Sequence, residues 1–351
     1  MHRPDRSPGQ RFRFEQYFQF LKENGFSCEL SYLISEEEDR IFYSKGNYWK
    51  KALLLLKYIK RRKKDAARAN QFDIIFIFRD ALPTGSIKYE KKMKASGAKL
   101  IYDFDDAIFI LNVSSGNKAL SFLKKPKKTG KIIQLCDLII AGNQYLANYA
   151  TQFNSNVKII PTTIDTKEYT RHENKNKAIC IGWSGSVTTI EHFKLALPFL
   201  EEIKLKYGSK VYFKVIGDGN YTNEHLAIKG IPWNKKNEVK ELSEFDIGIM
   251  PLPDDDWAKG KCGLKGLQYM ALEIPTIMSP VGVNNKIINN GMNGFIAATN
   301  QDWIDKLSIL IDQHETRIKM GAEARKTVVD SYSIIANEDL YLRYFNEVLK
   351  D

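Results

Sequence analysis

Hydrophobic residues in the first half of the chain alternate between helical and extended patterns. Apolar residues between Arg11 and Asn24 recur at spacings of three and four, which predicts an amphipathic helix. Further helices are predicted over residues 47–69 and 87–96, and strands over residues 26–34, 72–78, 99–103, 138–141 and 157–160. Strands that alternate with helices favour a parallel sheet in a doubly wound α/β domain.

A polar connection over residues 161–175 interrupts this alternation and predicts a domain junction. The alternation then restarts, with strands predicted over residues 178–183, 212–216, 247–250 and 275–278 and helices over 190–206, 239–245, 264–272, 303–312, 314–331 and 337–349. The pattern predicts two similar α/β halves with a cleft between them. Ligands of such sheets bind beyond the carboxyl ends of the strands.

The start of the chain departs from this pattern. A doubly wound domain ordinarily opens with an apolar strand, whereas residues 1–10 are polar and residues 7–9 already look like the loop that follows such a strand. Either the start of the chain is truncated or the first strand is absent.

Composition narrows the class of protein. The 351 residues are 43% hydrophobic and 27% charged, which indicates a globular protein and excludes disordered and fibrous architectures. The longest apolar runs, such as residues 52–56 and 74–78, are much shorter than the roughly 20 residues of a membrane-spanning helix. No secretory signal is visible, and four widely spaced cysteines favour a reducing cytosol over a zinc site or a disulfide framework.

The net charge of +11 is concentrated in three basic clusters of the first half, over residues 57–68, 88–94 and 124–131. The first cluster follows Trp49 and the apolar residues 52–56, so one helix is predicted to have an apolar part and a basic end. That pattern suits an anionic membrane surface. The alternative is that these basic residues form an ordinary solvated face of the protein. Nucleic acid is not expected as a partner, because no zinc, helix-turn-helix or RNA-binding signature accompanies the charge.

Residues 254–294 carry the most informative pattern. They read Gly-Lys-Cys-Gly at 260–263, Leu-Gln-Tyr-Met-Ala at 267–271, Ile-Pro-Thr at 274–276, Val-Gly-Val at 281–283 and Asn-Gly-Phe at 293–295. This order resembles the nucleotide-sugar half of retaining GT-B glycosyltransferases, specifically family 4 (glycosyl transferases group 1). Residues 7–11, 103–109 and 161–165 resemble the first loop, an acceptor-half segment and the junction of the same family.

The resemblance implies a GT-B architecture of two Rossmann-like domains that face a cleft. We expect an acceptor-binding domain over residues 1–165, a nucleotide-sugar-binding domain over 166–335, and a terminal helix, 336–351, that packs back on the first domain. The implied reaction moves a sugar from a nucleoside-diphosphate sugar to an acceptor with retention of configuration. Neither a cofactor nor a metal is expected.

Two departures from the family bear on the chemistry. The family has paired glutamates eight positions apart, where this chain has Gly260 and Gln268. Gln268 is still able to bond a ribose hydroxyl, but without charge, while Gly260 removes the carboxylate expected to face the sugar. The family's Arg and Lys after the first strand of this domain are replaced within residues 183–187, so the phosphate charge must be met elsewhere.

Sugar transfer makes the diphosphate a leaving group, so the site must offer fixed donors and positive charge. Gly263 and Leu264 open a helix whose amides and dipole attract phosphate. Of the lysines that flank this opening, we expect Lys261 to stabilise the leaving group, with Lys259 second. The predicted donor-binding residues are Gly182, Ser184, Gly185, Ser186, Gly217, Asp218, Lys259, Lys261, Cys262, Gly263, Leu264 and Gln268. The alternatives are a solvated loop for the lysines and a helix-surface position for Gln268.

On the acceptor side, we expect Arg11 and Arg13 to reach a phosphate across the cleft and Asp105 and Asp106 to face the acceptor. Strand-end carboxylates also cap the next helix, which is the alternative for the aspartates. No catalytic base is nominated, because retention of configuration requires no side-chain nucleophile and the leaving phosphate is able to take the acceptor proton.

The sequence therefore predicts a cytoplasmic glycosyltransferase, peripheral at the inner face of the membrane. Its expected acceptor is a glycan or a lipid-linked precursor of a cell-envelope polysaccharide. One alternative is a non-catalytic sugar-nucleotide-binding protein, which Gly260 and the missing first strand motivate. Another is a nucleotide-sugar 2-epimerase of the same fold, which ranks low because the five histidines lie in no convincing motif.

Overall fold

The computed structural model describes residues 2–44, 46–110, 125–174 and 176–350. The chain folds into two units, one formed by Met1–Pro161 with Glu338–Asp351 and the other by Thr162–Asn337. Across these described ranges, no helix combines the length and the apolar character needed to cross a lipid bilayer.

The first unit is built on a parallel sheet of four strands in the order β1-β2-β3-β4. The strands are β1 (Ile74–Phe78), β2 (Lys99–Phe104), β3 (Leu138–Ala141) and β4 (Val157–Ile159). The helices are α1 (Pro8–Arg13), α2 (Phe18–Glu23), α3 (Glu36–Tyr43), α4 (Tyr48–Ala67), α5 (Lys88–Lys94), α6 (Lys127–Leu135) and α7 (Gln144–Ala150). The residues of β3 are all buried, as in a strand covered on both faces.

The predicted strand over residues 26–34 is wrong. Apart from an isolated bridge between His2 and Ile34, no strand pairing involves this segment in the described part of the chain. Side chains of α4 instead satisfy its backbone, since Arg62 donates to the carbonyl of Ser31 at 3.2 Å and Arg61 donates to that of Leu33. The described residues before Ile74 add no strand to this sheet, so β1 is its edge.

The predicted helix over residues 11–24 is broken at Phe14, where the backbone leaves helical geometry at φ −145°. The ring of Phe14 packs on Phe76 and Phe78 of β1, with centroids 5.3 and 5.6 Å apart. A short 3₁₀ turn, Glu15–Tyr17, then leads into α2. Packing on the sheet therefore overrides the helical periodicity.

The last helix, α16 (Ile334–Lys350), packs its C-terminal part against the first unit. Tyr341 is buried with its ring 4.4 Å from that of Tyr17, and its hydroxyl donates to the carbonyl of Arg13. Phe345 packs against Phe76 of β1 at 6.1 Å. The end of the chain thereby completes the core of the first unit.

The second unit has a parallel sheet of six strands in the order β12-β11-β10-β5-β6-β9 and a separate hairpin, β7-β8. The strands are β5 (Ile179–Ser184), β6 (Val211–Gly217), β7 (Thr222–Asn223), β8 (Ile228–Lys229), β9 (Ile231–Pro232), β10 (Ile247–Met250), β11 (Thr276–Met278) and β12 (Phe295–Ile296). The helices are α8 (Ile190–Lys194), α9 (Leu197–Tyr207), α10 (Glu238–Ser243), α11 (Asp256–Lys259), α12 (Leu264–Ala271), α13 (Asn284–Ile287), α14 (Asn300–Asp312) and α15 (His314–Thr327).

Helices α9 and α14 cover one side of this sheet. The rings of Phe199 and Trp303 stack at 4.7 Å with an interplanar angle of 2°, and Leu200 and Leu307 are fully buried beside them. The single helix predicted over residues 190–206 is divided into α8 and α9, because Pro198 has no amide hydrogen to continue the earlier helix. Since all six strands are parallel, the loops after β5, β6, β10 and β11 leave the sheet at the same edge.

Candidate functional site

The N-terminus of α12 lies at this edge of the second sheet. It follows a turn that ends at Gly263, whose φ of +72° favours glycine and whose Cβ, if present, would lie 2.3 Å from Cδ1 of Ile287. Because Gly263 has no side chain, no side-chain oxygen caps the helix. The first amides of a helix lack intrahelical acceptors and lie at the positive end of its dipole. The tip is therefore suited to an anion.

Loops from neighbouring strands pack closely around this tip. The loops after β5 and β6 touch, since a Cβ on Gly217 (φ +133°) would lie 2.4 Å from the carbonyl oxygen of Gly185. The loop after β11 touches the turn before α12, since a Cβ on Gly282 would lie 2.8 Å from the carbonyl oxygen of Lys259. Side chains at Gly217 and Gly282 would push these loops apart.

Three lysines flank the tip, and their surroundings differ. The ammonium of Lys265 lies 4.4 Å from the ring centroid of Trp183. It is also 3.4 Å from Oγ1 of Thr189. The ammonium of Lys261 lies 5.1 Å from the ring centroid of Trp257. Lys259 instead lies near two carboxylates, with Asp256 at 3.4 Å and Asp254 at 3.7 Å.

These surroundings differ in charge, and the expected order of Lys261 and Lys259 stays a prediction. Lys259, expected to act second, is partly neutralised by the aspartates beside it. Lys265 reaches the end of β5 and the segment after it, where the family resemblance leads one to expect Arg and Lys and where this chain has Trp183 and uncharged residues. A lysine of α12 thus supplies positive charge that the segment itself lacks.

His192 of α8 belongs to the same cluster, although its sequence context suggested no role. Burial, and after it the nearby charges of Lys265 and Lys261, lower the pKa of His192 to about 4, while Asp255 opposes them. The imidazole is therefore neutral at neutral pH, and the two lysines contribute a positive field at its position. Some 70 residues separate it from these lysines in sequence, so no local spacing could have indicated their proximity.

Three of the predicted donor-binding residues have structural contacts of their own. Ser184 is buried, and its amide and hydroxyl lie 2.7 and 2.8 Å from the hydroxyl of Tyr269 on α12. A Cβ on Gly182 would lie 2.1 Å from the ring of Phe245, and one on Gly185 would lie 2.2 Å from the ring of Trp183. These residues fit the end of β5 tightly against its neighbours, whereas Ser186 is exposed on the loop.

Two further predicted residues lie beside the tip. Cys262 is buried in the turn before α12, with its sulfur 3.8 Å from the carbonyl oxygen of Gly260. Asp218 lies in the turn after β6, where its carboxylate accepts from the amide of Asn220 at 3.0 Å. Both residues therefore shape the loops of the site.

Gln268 is buried on α12 at the centre of a hydrogen-bond network. Its Nε2 donates to the hydroxyl of Tyr169 at 2.8 Å and to Oε1 of Glu238 at 3.1 Å. Glu238, at the start of α10, also accepts from the Tyr169 hydroxyl and from Nε1 of Trp233, each at 2.7 Å. The prediction included Gln268 but missed Glu238 and Tyr169, which are distant in sequence and meet it only through folding.

On the predicted acceptor side, Arg13 is buried in an ion pair. Its guanidinium and the carboxylate of Asp103 form a bidentate pair at 3.0 and 2.8 Å, and both side chains are fully buried in the first unit. Burial raises the pKa of Asp103 to about 6, against the opposing charge of Arg13. Arg13 therefore has a structural partner in the core of the first unit, and its expected contact with a phosphate stays a prediction.

The other predicted acceptor-side residues lie nearer the surface or along α1. The guanidinium of Arg79 bonds Asp105 at 2.6 Å and Asp106 at 3.3 Å, so both carboxylates are held by this arginine. Arg11 is buried with its guanidinium 4.2 Å from the ring of Phe12. Within the described ranges, no three His, Cys, Asp or Glu side chains are grouped as metal ligands.

Comparison with known proteins shows which family the second unit resembles. Residues 178–313, most of the second unit, match the family described as "Glycosyl transferases group 1". No curated protein matches the sequence. The family match confirms the resemblance that the motifs of residues 254–294 indicate.

Solved structures extend the likeness to both units. TarM of S. aureus is 14% identical with a TM-score of 0.64, over 85% of this chain but only 58% of TarM. HepE of Anabaena, solved with UDP and glucose, is 12% identical with a TM-score of 0.62 over 82% of each chain. A glycosyltransferase from Rickettsia africae is 14% identical with a TM-score of 0.62, over 95% of this chain and 87% of its own. The predicted fold class, GT-B with two Rossmann-like domains, is confirmed.

Proposed function

We propose that this chain, whose residues 178–313 match the group 1 glycosyltransferase family, transfers a sugar from a nucleoside-diphosphate sugar to an acceptor with retention of configuration. The observation that carries the proposal is the cationic tip of α12. There, Lys261 and Lys265 flank a helix N-terminus that has no side-chain cap, and after burial both charges contribute to the lowered pKa of His192.

The tip of α12 would act on the leaving group. When the bond between the anomeric carbon and the β-phosphate oxygen breaks, negative charge grows on the diphosphate. Fixed amides and ammonium groups stabilise that charge more than they stabilise the ground state, which lowers the barrier. The acceptor oxygen bonds to the same carbon, and its proton passes to the leaving phosphate. This sequence needs no side-chain nucleophile, which agrees with Gly260 at the position where the family has a carboxylate.

Gln268 would bind the nucleoside. Both hydrogens of its amide are engaged by Tyr169 and Glu238, so its carbonyl oxygen is the group left to accept a hydroxyl. A ribose hydroxyl is the natural donor to it. HepE, which shares the fold, has been solved with UDP and with UDP-glucose, which supports a nucleotide-sugar donor here.

The first unit would bind the acceptor, with Arg11, Asp105 and Asp106 as candidate contacts. We propose a glycan or a lipid-linked precursor of a cell-envelope polysaccharide, used in the cytoplasm at the inner face of the membrane. TarM, which shares the fold, has been solved with α-GlcNAc-glycerol and UDP, which supports a glycan acceptor.

Donor turnover by the purified chain tests the proposal. UDP-, GDP- and ADP-sugars are screened first by thermal unfolding, because a ligand that binds the native state raises its unfolding temperature. The stabilising donor is then incubated with glycan acceptors, and release of the nucleoside diphosphate is measured. Release that depends on the acceptor supports a transferase. Stabilisation without any release would favour the non-catalytic sugar-nucleotide-binding protein, for which Gly260 is the specific observation.

A further inference from the structure

The outward side of α4 exposes large apolar side chains. Trp49 is 77% exposed, Leu53 51% and Leu56 62%. Their spacings of four and three place them on one face of the helix. We name this set, with the exposed lysines that follow, the α4 outer face.

Folding of the first unit does not require these side chains. The inward side of α4 already packs through Tyr58 and Arg62, which are fully or nearly fully buried. A monomer in water gains nothing by exposing a tryptophan and two leucines together, and such clusters mark surfaces that bind a partner.

The charge of α4 is divided between its two sides. Its arginines turn inward, where Arg62 pairs with Asp65 at 2.7 Å and Arg61 donates to the Leu33 carbonyl. The exposed lysines of the helix are Lys50, Lys57, Lys60, Lys63 and Lys64. Asp65 is the sole acidic residue of Tyr48–Ala67, and it faces Arg62. Glu38 of α3 pairs with Lys57, which leaves four exposed lysines of α4 around the apolar residues.

The neighbouring helix extends the positive surface. The hydroxyl of Tyr89 on α5 donates to the carbonyl of Ile59 on α4 at 3.2 Å, so the two helices lie side by side. Lys88, Lys91 and Lys92 of α5 are exposed. An apolar strip surrounded by lysines is complementary to a surface that has an apolar interior and an anionic outer layer.

We propose that the α4 outer face binds an anionic lipid bilayer. Trp49 lies at the level of the headgroups, Leu53 and Leu56 insert beside it, and the lysines contact lipid phosphates. A second copy of the chain is disfavoured as occupant because it would oppose like charges. Nucleic acid is disfavoured because it would leave the leucines in contact with water. The inference rests on surface residues alone and is independent of the proposed donor chemistry.

Sedimentation of the full chain with vesicles tests this inference. The vesicles contain phosphatidylcholine alone or with 30% phosphatidylglycerol, a composition chosen to vary only the surface charge. We expect binding to the anionic vesicles that weakens with salt and drops at least tenfold in Leu53→Ser/Leu56→Ser and in Lys60→Glu/Lys63→Glu/Lys64→Glu. The matched control is Leu205→Ser, since Leu205 belongs to the second unit and is 86% exposed.

Fluorescence supplies a second readout that does not depend on affinity. Addition of anionic vesicles is expected to shift tryptophan emission to shorter wavelength, and Trp49→Phe is expected to abolish the shift. Circular dichroism confirms that the variants fold. Absence of vesicle binding, binding that the variants retain, or a chain that dimerises through α4 or binds duplex DNA in preference to vesicles would each overturn the inference. Donor binding measured on the same variants keeps this outcome separate from the proposed function.

Discussion

Nε2 of Gln268 and Oε1 of Glu238 lie 3.1 Å apart in the buried part of the second unit. A carboxylate only accepts hydrogen bonds, so Glu238 fixes which end of the Gln268 amide turns toward it. The amide oxygen is thereby presented outward as an acceptor, as a carboxylate at position 268 would be. The negative charge that the family carries on α12 is retained nearby, on α10.

Glu238→Gln tests this positioning role. The variant removes the fixed preference for the amide donor, so Gln268 is able to turn its Nε2 outward. We expect the KM for the donor to rise about tenfold, which corresponds to one charge-assisted hydrogen bond, while kcat changes less. Steady-state kinetics with the donor found by the thermal screen provide the measurement.

Gln268→Glu provides the matched test. It places two carboxylates in contact, which disfavours ionisation of both and should lower the unfolding temperature at pH 8 more than at pH 5.5. The double variant Glu238→Gln/Gln268→Glu restores one charge and one amide, so it should recover most of the stability. If the stability lost in the double variant equals the sum of the losses in the two single variants, the two side chains do not act as a pair.

The titration of His192 tests the positive field at the α12 tip. NMR should find its pKa near 4 in the unliganded protein, and excess inorganic pyrophosphate should raise it because the anion offsets the lysine charges. A pKa near the ordinary 6.5 in the unliganded chain would contradict the burial and the field inferred here.

The lowered pKa of His192 also predicts how the free energy of unfolding depends on pH. The unfolded chain binds a proton at His192 below about pH 6.5, whereas the folded chain does so only near pH 4. The free energy of unfolding therefore falls as the pH is lowered from about 6.5 to 4, because the unfolded state binds more protons. In His192→Gln this contribution should disappear, so urea unfolding of the variant should depend less on pH in this window. An unchanged pH dependence would exclude His192 as its source.

The buried pair of Arg13 and Asp103 predicts a structural role for Arg13. Arg13→Leu leaves a buried carboxylate without its partner and should cost about 3–5 kcal/mol of unfolding free energy. The double variant Arg13→Leu/Asp103→Leu removes both charges and should be more stable than Arg13→Leu alone. Chemical denaturation measures both. An Arg13→Leu variant of full stability with impaired acceptor use would instead restore the cleft-facing role expected from the sequence.

The lysines at the tip predict an order of importance. Lys265→Ala and Lys261→Ala should each weaken UDP binding by tenfold or more, because each removes a cation near the diphosphate. Lys259→Ala is the control and should have a smaller effect, since Asp254 and Asp256 lie beside that ammonium. Isothermal titration calorimetry measures all three. Equal effects at the three positions would show that the aspartates do not neutralise Lys259.

Sequence patterns located the longer sheet strands because these have a local signal, but they missed the two-residue strands β7, β8, β9 and β12. The apolar run of β1 and the buried residues of β3 alternate with helices at the spacing of a parallel sheet. Residues 26–34 have a similar apolar content, but their backbone partners are arginine side chains of α4. Only the folded chain shows which group satisfies a backbone carbonyl, so periodicity alone misassigned this segment.

The residues of the candidate site also include some that the sequence indicated and some that it did not. The glycine that opens α12 and the lysines beside it are local, and the sequence indicated them. Glu238 and His192 come from α10 and α8, and they meet α12 only because the sheet aligns its strand ends. The sequence context of Arg13 did not reveal Asp103 as its partner, 90 residues away.

A crystal structure of the chain with UDP tests the central claim most directly. We predict that the diphosphate contacts the first amides of α12 and the ammonium groups of Lys261 and Lys265, with a ribose hydroxyl on Gln268. A nucleotide bound away from residues 259–268, or a tip of α12 filled by the protein's own side chains, would contradict it.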